Sequence, residues 1–106
     1  MLTEKDYCDY DTCVALKELG CTYTTLFRYI IDDESIPHPT LYEAQKFLRE
    51  EKRIHIVLTY YTQLGWYEYS VKKDDNLIAE GSAFPTYEDA LSTAIYMAVE
   101  HLKEGK

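Results

Sequence analysis

The chain has 106 residues, of which 46% are hydrophobic, and its formal net charge is −8. This length predicts one domain spanning residues 1–106, large enough to hold a core without metal or disulfides. The apolar content excludes a disordered chain, and the acidic balance disfavours nonspecific nucleic-acid binding and docking on anionic membranes.

The first third of the chain predicts a helix, a strand and a loop. The helix spans residues 9–20, with Asp9 or Asp11 as its N-cap and Gly20 at its end. Its apolar stripe is Cys13, Leu16 and Leu19. Residues 22–31 alternate aromatic and β-branched side chains, which is typical of a strand. Residues 32–39 contain two prolines and three acids, which predicts a loop.

A second helix is predicted from Thr40 to about Glu51. Thr40 and Glu43 have the spacing of a capping box, in which each side chain satisfies a backbone N–H group of the other residue. The predicted buried stripe is Leu41, Ala44, Phe47 and Leu48.

The last half of the chain predicts three strands and a helix. The strands are 54–61, 66–72 and 77–83, joined by turns at 62–65 and 73–76. The helix spans residues 86–103 and carries a stripe at helical spacing: Tyr87, Ala90, Leu91, Ala94, Ile95, Ala98 and Leu102. Three alanines on this stripe indicate close approach of the helix to a sheet.

The predicted order is α-β-α-β-β-β-α. Neighbouring hairpin strands with helices beside them favour an α+β fold, in which an antiparallel sheet of three to four strands has its helices packed on one face.

Three segments carry a resemblance: residues 10–20 (YDTCVALKELG), 39–50 (PTLYEAQKFLRE) and 84–91 (FPTYEDAL). In this order they resemble a group of short proteins of gut Bacteroidales and their phages or mobile elements, to which no activity is assigned. This chain has Arg53 where glycine is common in the group. The resemblance implies a bacterial or phage cytoplasmic setting and an accessory role.

No motif in the chain predicts a cofactor, a metal site or a catalytic centre. Cys8, Cys13 and Cys21 lack zinc-knuckle spacing. Their odd number, without a basic-then-apolar leader, indicates free thiols in the cytoplasm, and Cys13 is expected to pack as a small hydrophobe. There is no phosphate-binding glycine loop and no glycine-flanked nucleophile. We therefore expect no enzymatic activity.

The aromatic content offers the best candidate surface. The chain holds 11 tyrosines and one tryptophan, residue types that carry much of the binding energy at protein interfaces. One sheet face or edge is therefore a candidate contact surface, formed by His55, Tyr61, Trp66 and Tyr69. The alternative is that the tyrosines simply favour strands and complete a small core.

Three functions follow as hypotheses. The leading one is a binding protein of phage or mobile-element type that contacts an unknown protein, or a second copy through strand edge 22–31 or 77–83. The second is an acidic inhibitor that mimics nucleic acid, favoured if Asp9, Asp11 and the acids at 32–34 share one face. The third is an enzyme or small-ligand binder, favoured by a deep pocket with convergent polar groups.

Overall fold

The computed structural model describes residues 8–20, 28–31, 34–37 and 40–105. Within them the chain forms three helices and five strands. The elements are α1 (Tyr10–Glu18), β1 (Arg28–Ile31), β2 (Glu34–Pro37), α2 (Leu41–Glu51), β3 (Ile54–Tyr61), β4 (Trp66–Lys73), β5 (Asn76–Phe84) and α3 (Tyr87–Gly105). The predicted α+β class, with helices packed on an antiparallel sheet, is confirmed.

The main sheet is three-stranded, antiparallel and ordered β3-β4-β5. The register pairs Ile56 with Val71 and Leu58 with Tyr69 across the first two strands. It pairs Tyr69 with Gly81 and Val71 with Ala79 across the last two, with irregularities on either side of these pairs. Because β3 and β5 are the outer strands, the predicted segment 77–83 does lie at a sheet edge.

The segment predicted as a loop at 32–39 contains a strand instead. Glu34–Pro37 pairs with Arg28–Ile31 as a separate two-stranded antiparallel sheet. Pro37 stands at the end of β2, opposite Arg28, where a residue without an N–H group is tolerated. The part of the predicted strand at residues 22–27 lies outside the described residues, as do residues 38–39.

The helix boundaries follow the predicted capping chemistry. Asp9 is the N-cap of α1, and its carboxylate accepts a hydrogen bond from the Thr12 N–H at 2.8 Å. Gly20, just after that helix, has φ +97°, a conformation that glycine adopts without steric cost. At α2 the capping box is complete, with Thr40 and Glu43 each accepting from the backbone of the other.

The core lies between the helices and one face of the main sheet. All four predicted residues of the α2 stripe are buried, and Cys13 and Leu16 are buried on α1. Ala90, Ala94 and Ala98 are each 0% exposed on the α3 face that meets β4 and β5. Close approach of this helix to the sheet is therefore confirmed.

Two details of α3 differ from the prediction. Val99 is 1% exposed and belongs to the core, whereas Tyr87 is 45% exposed. Tyr87 opens the helix, where its ring reaches the end of the sheet. Among the described residues no helix is long and apolar enough to cross a membrane.

Candidate protein-binding surface

The register of β3 and β4 assigns side chains to the two faces of the sheet. Directly opposed residues share a face, and successive residues alternate. The face away from the helices carries the pairs His55–Lys72, Val57–Ser70, Thr59–Glu68 and Tyr61–Trp66, together with Leu77 and Glu80 of β5. We call this set the open sheet face, because each member is exposed or half-buried.

Three of the four predicted surface residues lie on the open sheet face. These are His55, Tyr61 and Trp66. The prediction for Tyr69 was wrong, since its side chain is only 4% exposed and packs in the core on the helix-facing side. The physical reason is the two-residue period of a strand, which turns Tyr69 away from Trp66 three positions earlier.

The three surface residues do not form one cluster. His55 lies near the start of β3 and Tyr61 at its end, about 20 Å apart at the usual rise of a strand. His55 instead pairs with Lys72, at the end of the sheet opposite to the aromatic rings.

Tyr61 and Trp66 form the aromatic corner of the open sheet face. Their ring centroids are 5.2 Å apart at an interplanar angle of 57°, within the range of attractive tilted pairs. The Tyr61 hydroxyl donates to the Glu68 carboxylate at 3.2 Å. That hydrogen bond and the charge of Glu68 raise the pKa of Tyr61 above its ordinary value.

A second aromatic group lies at the same end of the sheet, on the helix-facing side. Tyr60 and Tyr67 are cross-strand partners with centroids 4.7 Å apart. Tyr67 meets Tyr87 edge-on at 5.9 Å. Tyr60 is 49% exposed, so this group packs against itself while keeping part of its surface in solvent.

The turn between β3 and β4 completes this end of the molecule. Leu64 is 60% exposed at its tip, and Gly65 adopts φ +72° with its N–H bonded to the Tyr61 carbonyl at 2.7 Å. We call the whole set the aromatic end: Tyr60, Tyr61, Leu64, Trp66, Tyr67 and Tyr87.

Only Tyr61 and Trp66 of the aromatic end were predicted from the sequence. The available signal was the adjacent pair Tyr60–Tyr61 facing Trp66–Tyr67 across a four-residue turn, which places two aromatic pairs on opposite faces of one hairpin end. Tyr87 carried no such signal, because its contact with Tyr67 depends on how α3 begins relative to the sheet.

The remaining chemistry-bearing side chains do not converge. Among the described residues no group of three or more His, Cys, Asp or Glu side chains is placed to hold a metal ion. Cys8 and Cys13 are both buried, and the expected packing of Cys13 as a small hydrophobe is confirmed. His38 and Cys21 lie outside the described residues.

A groove of about 460 Å³ lies between α1 and α3. Its lining includes Asp11, Glu18, Glu100 and Lys103, and the last two form an ion pair at 3.5 Å. Asp9 and Asp11 are both exposed near the start of α1. The side chains of residues 32–34 lie outside the described set, so a shared acidic face for nucleic-acid mimicry stays a prediction.

Comparisons with protein-family models, with curated proteins and with solved structures found no match. The resemblance to proteins of Bacteroidales and their phages therefore stays a prediction.

Proposed function

We propose that this chain is a non-enzymatic accessory protein of the cytoplasm, of phage or mobile-element type, that contacts another protein through its aromatic end. The observation that carries the proposal is the exposure of large apolar side chains at one end of the sheet. Tyr60, Leu64 and Tyr87 are 49%, 60% and 45% exposed, and Tyr61 is 37% exposed.

The aromatic end has the chemistry of a protein-binding hot spot. Tyrosine and tryptophan supply large contact areas with few rotatable bonds, and they are enriched at the centres of interfaces. Here the rings lie on paired strands and pack on one another, so little side-chain freedom remains to be lost on binding.

The charge of the chain favours a basic partner. A net charge of −8 attracts positively charged surfaces and repels acidic ones. The partner expected is therefore a protein that presents an apolar patch bordered by lysine or arginine.

Affinity capture from a bacterial host with matched variants tests this function. Trp66→Ala and Tyr87→Ala should each reduce retention of the specific partner, and purified partner should then bind at least about tenfold more weakly. Tyr96→Ala is the control, since Tyr96 is 48% exposed elsewhere on α3. The proposal is contradicted if all three folded variants lose partner binding equally, or if none of them loses it.

A further inference from the structure

We infer that the groove between α1 and α3 binds a linear aliphatic polyamine, whose ammonium groups meet two carboxylates of α1 and whose methylene stem packs on the apolar groove floor. This site goes beyond the proposed function and shares no residue with the aromatic end. The groove volume of about 460 Å³ lies within the range of small-molecule sites, roughly 300–1,000 Å³.

The α1 wall of the groove presents two carboxylates separated by apolar side chains. Four side chains that line the groove form one row along this helix, at spacings of three and four residues: Asp11, Val14, Ala15 and Glu18. Asp11 and Glu18 stand two helical turns apart, which is about 10 Å along the helix axis. A ligand that meets both carboxylates is therefore extended, with a cation at each end and an apolar middle.

The charges in the groove favour a cationic ligand. Its lining contains the carboxylates of Asp11, Glu18 and Glu100 and the ammonium group of Lys103. Lys103 forms an ion pair with Glu100 at 3.5 Å. Asp11 and Glu18, by contrast, have no ion-pair partner in the part of the chain that the structure describes. The two α1 carboxylates therefore offer uncompensated negative charge to a ligand.

A hydroxyl group of a buried residue opens onto the same groove. Thr12 lines the groove and is only 6% exposed. Its hydrogen bond with Asp9 uses the backbone N–H, and its hydroxyl has no hydrogen-bond partner among the described residues. Because none of the polar side-chain atoms described as sealed from solvent lacks a partner, this hydroxyl stays open to the groove. An ammonium group bound there donates to the hydroxyl oxygen and satisfies it.

The α3 wall supplies apolar surface and an aromatic ring. Val99 is 1% exposed and forms the groove floor with Ala15. Tyr96 also lines the groove, and aromatic rings attract ammonium groups. Since the two α1 carboxylates stand two turns apart, they do not converge on one point as the oxygen ligands of a metal ion must. The lining therefore selects an alkylammonium chain over a bare cation.

Nuclear magnetic resonance titration of the full chain with spermidine, a linear triamine, tests the inference at low ionic strength. The largest amide shifts should occur at residues that line the groove, and Glu18→Gln should weaken binding about threefold or more. Glu51→Gln is the matched control, because each glutamate is exposed and is the last residue of its helix, but Glu51 ends α2 and does not line the groove. Asp11→Asn combined with Glu18→Gln should weaken binding about tenfold or more.

Two further cations separate the groove from diffuse attraction to an acidic chain. Hexaamminecobalt(III) carries the charge of spermidine in a compact shape, and N-acetyl-lysine amide carries one ammonium group on an aliphatic stem. Each should bind about threefold or more weakly than spermidine, because neither reaches both α1 carboxylates.

The outcomes that overturn the inference are distinct from those that concern the aromatic end. Equal weakening by Glu18→Gln and Glu51→Gln, or equal affinity for hexaamminecobalt(III), would show nonspecific attraction and overturns the site. Equal affinity for N-acetyl-lysine amide would show a site for single lysine side chains of a protein and overturns the polyamine. Partner capture does not enter this titration, so either proposal can fail without the other.

Discussion

The ring of Tyr69 lies over the backbone of Gly81 on the neighbouring strand. The two residues are cross-strand partners, and a Cβ atom at Gly81 would stand 2.6 Å from Cε2 of that ring. Glycine at this position therefore allows a buried tyrosine to lie flat across β5. Its ring also packs against Phe84, with centroids 5.7 Å apart.

Gly81→Ala should destabilise the fold by about 1–3 kcal/mol, because the ring must move within a filled core. Chemical denaturation measures this change. When Tyr69→Leu has already removed the clashing ring atoms, Gly81→Ala should lower the free energy of unfolding much less. Additive effects of the two substitutions would contradict the close contact.

Tyr69 also makes stability depend on alkaline pH. Burial raises the pKa of its phenol above 10.0 in the folded protein, while in the unfolded chain the phenol ionises near 10.0. The contribution of the Tyr69 phenol to folding stability is therefore fully present below about pH 10, and it is lost as pH rises through the folded-state pKa. The stability difference between wild type and Tyr69→Phe should shift in favour of the variant above pH 10, and a difference that stays constant with pH would contradict this.

Arg53 occupies a backbone conformation that favours glycine. Its φ is 60°, directly after the C-cap of α2, in the left-handed region that glycine adopts without steric cost. Arg53→Gly should raise stability by about 0.5–1 kcal/mol in thermal or chemical unfolding.

The ion pair of Arg53 with Asp74, at 2.9 Å, is exposed and contributes little. Asp74→Asn provides the control, because it removes the ion pair and asparagine tolerates the φ of 56° at that residue. If Arg53→Gly lowers stability by as much as Asp74→Asn or more, backbone strain is not the dominant effect.

The capping box at the start of α2 gives another test. Thr40→Ala leaves the Glu43 N–H without its acceptor and should cost about 1 kcal/mol. Glu43→Gln keeps an acceptor for the Thr40 N–H and should cost much less. Equal losses in the two variants would show that the charge of Glu43 stabilises the helix end as much as the hydrogen bond from the Glu43 N–H to Thr40 does.

The sequence predicted those features that depend on local chemistry. Capping residues and helical stripes located α1, α2 and α3 to within two residues, and alternation located β3, β4 and β5. The β2 strand was missed, because backbone pairing with β1 overrides the turn preference of its proline and acidic residues.

The candidate surface was only partly predictable. Strand alternation alone separates Tyr69 from Trp66, so the error at Tyr69 was avoidable from the sequence. The contact between Tyr67 and Tyr87 depends on the packing of α3 against the sheet, which no local pattern specifies. His55 and Tyr61 stand at opposite ends of the predicted strand 54–61, so their separation was also foreseeable from the rise of a strand.

The most direct measurement of the recognition surface uses Trp66, the only tryptophan in the chain. Its side chain is half-buried beside Tyr61 in the single copy, so fluorescence quenching by a soluble quencher reports what covers this corner. We predict that quenching of Trp66 falls when the captured partner protein is added. Quenching that stays unchanged when the partner is added would contradict the assignment of this corner as a contact surface.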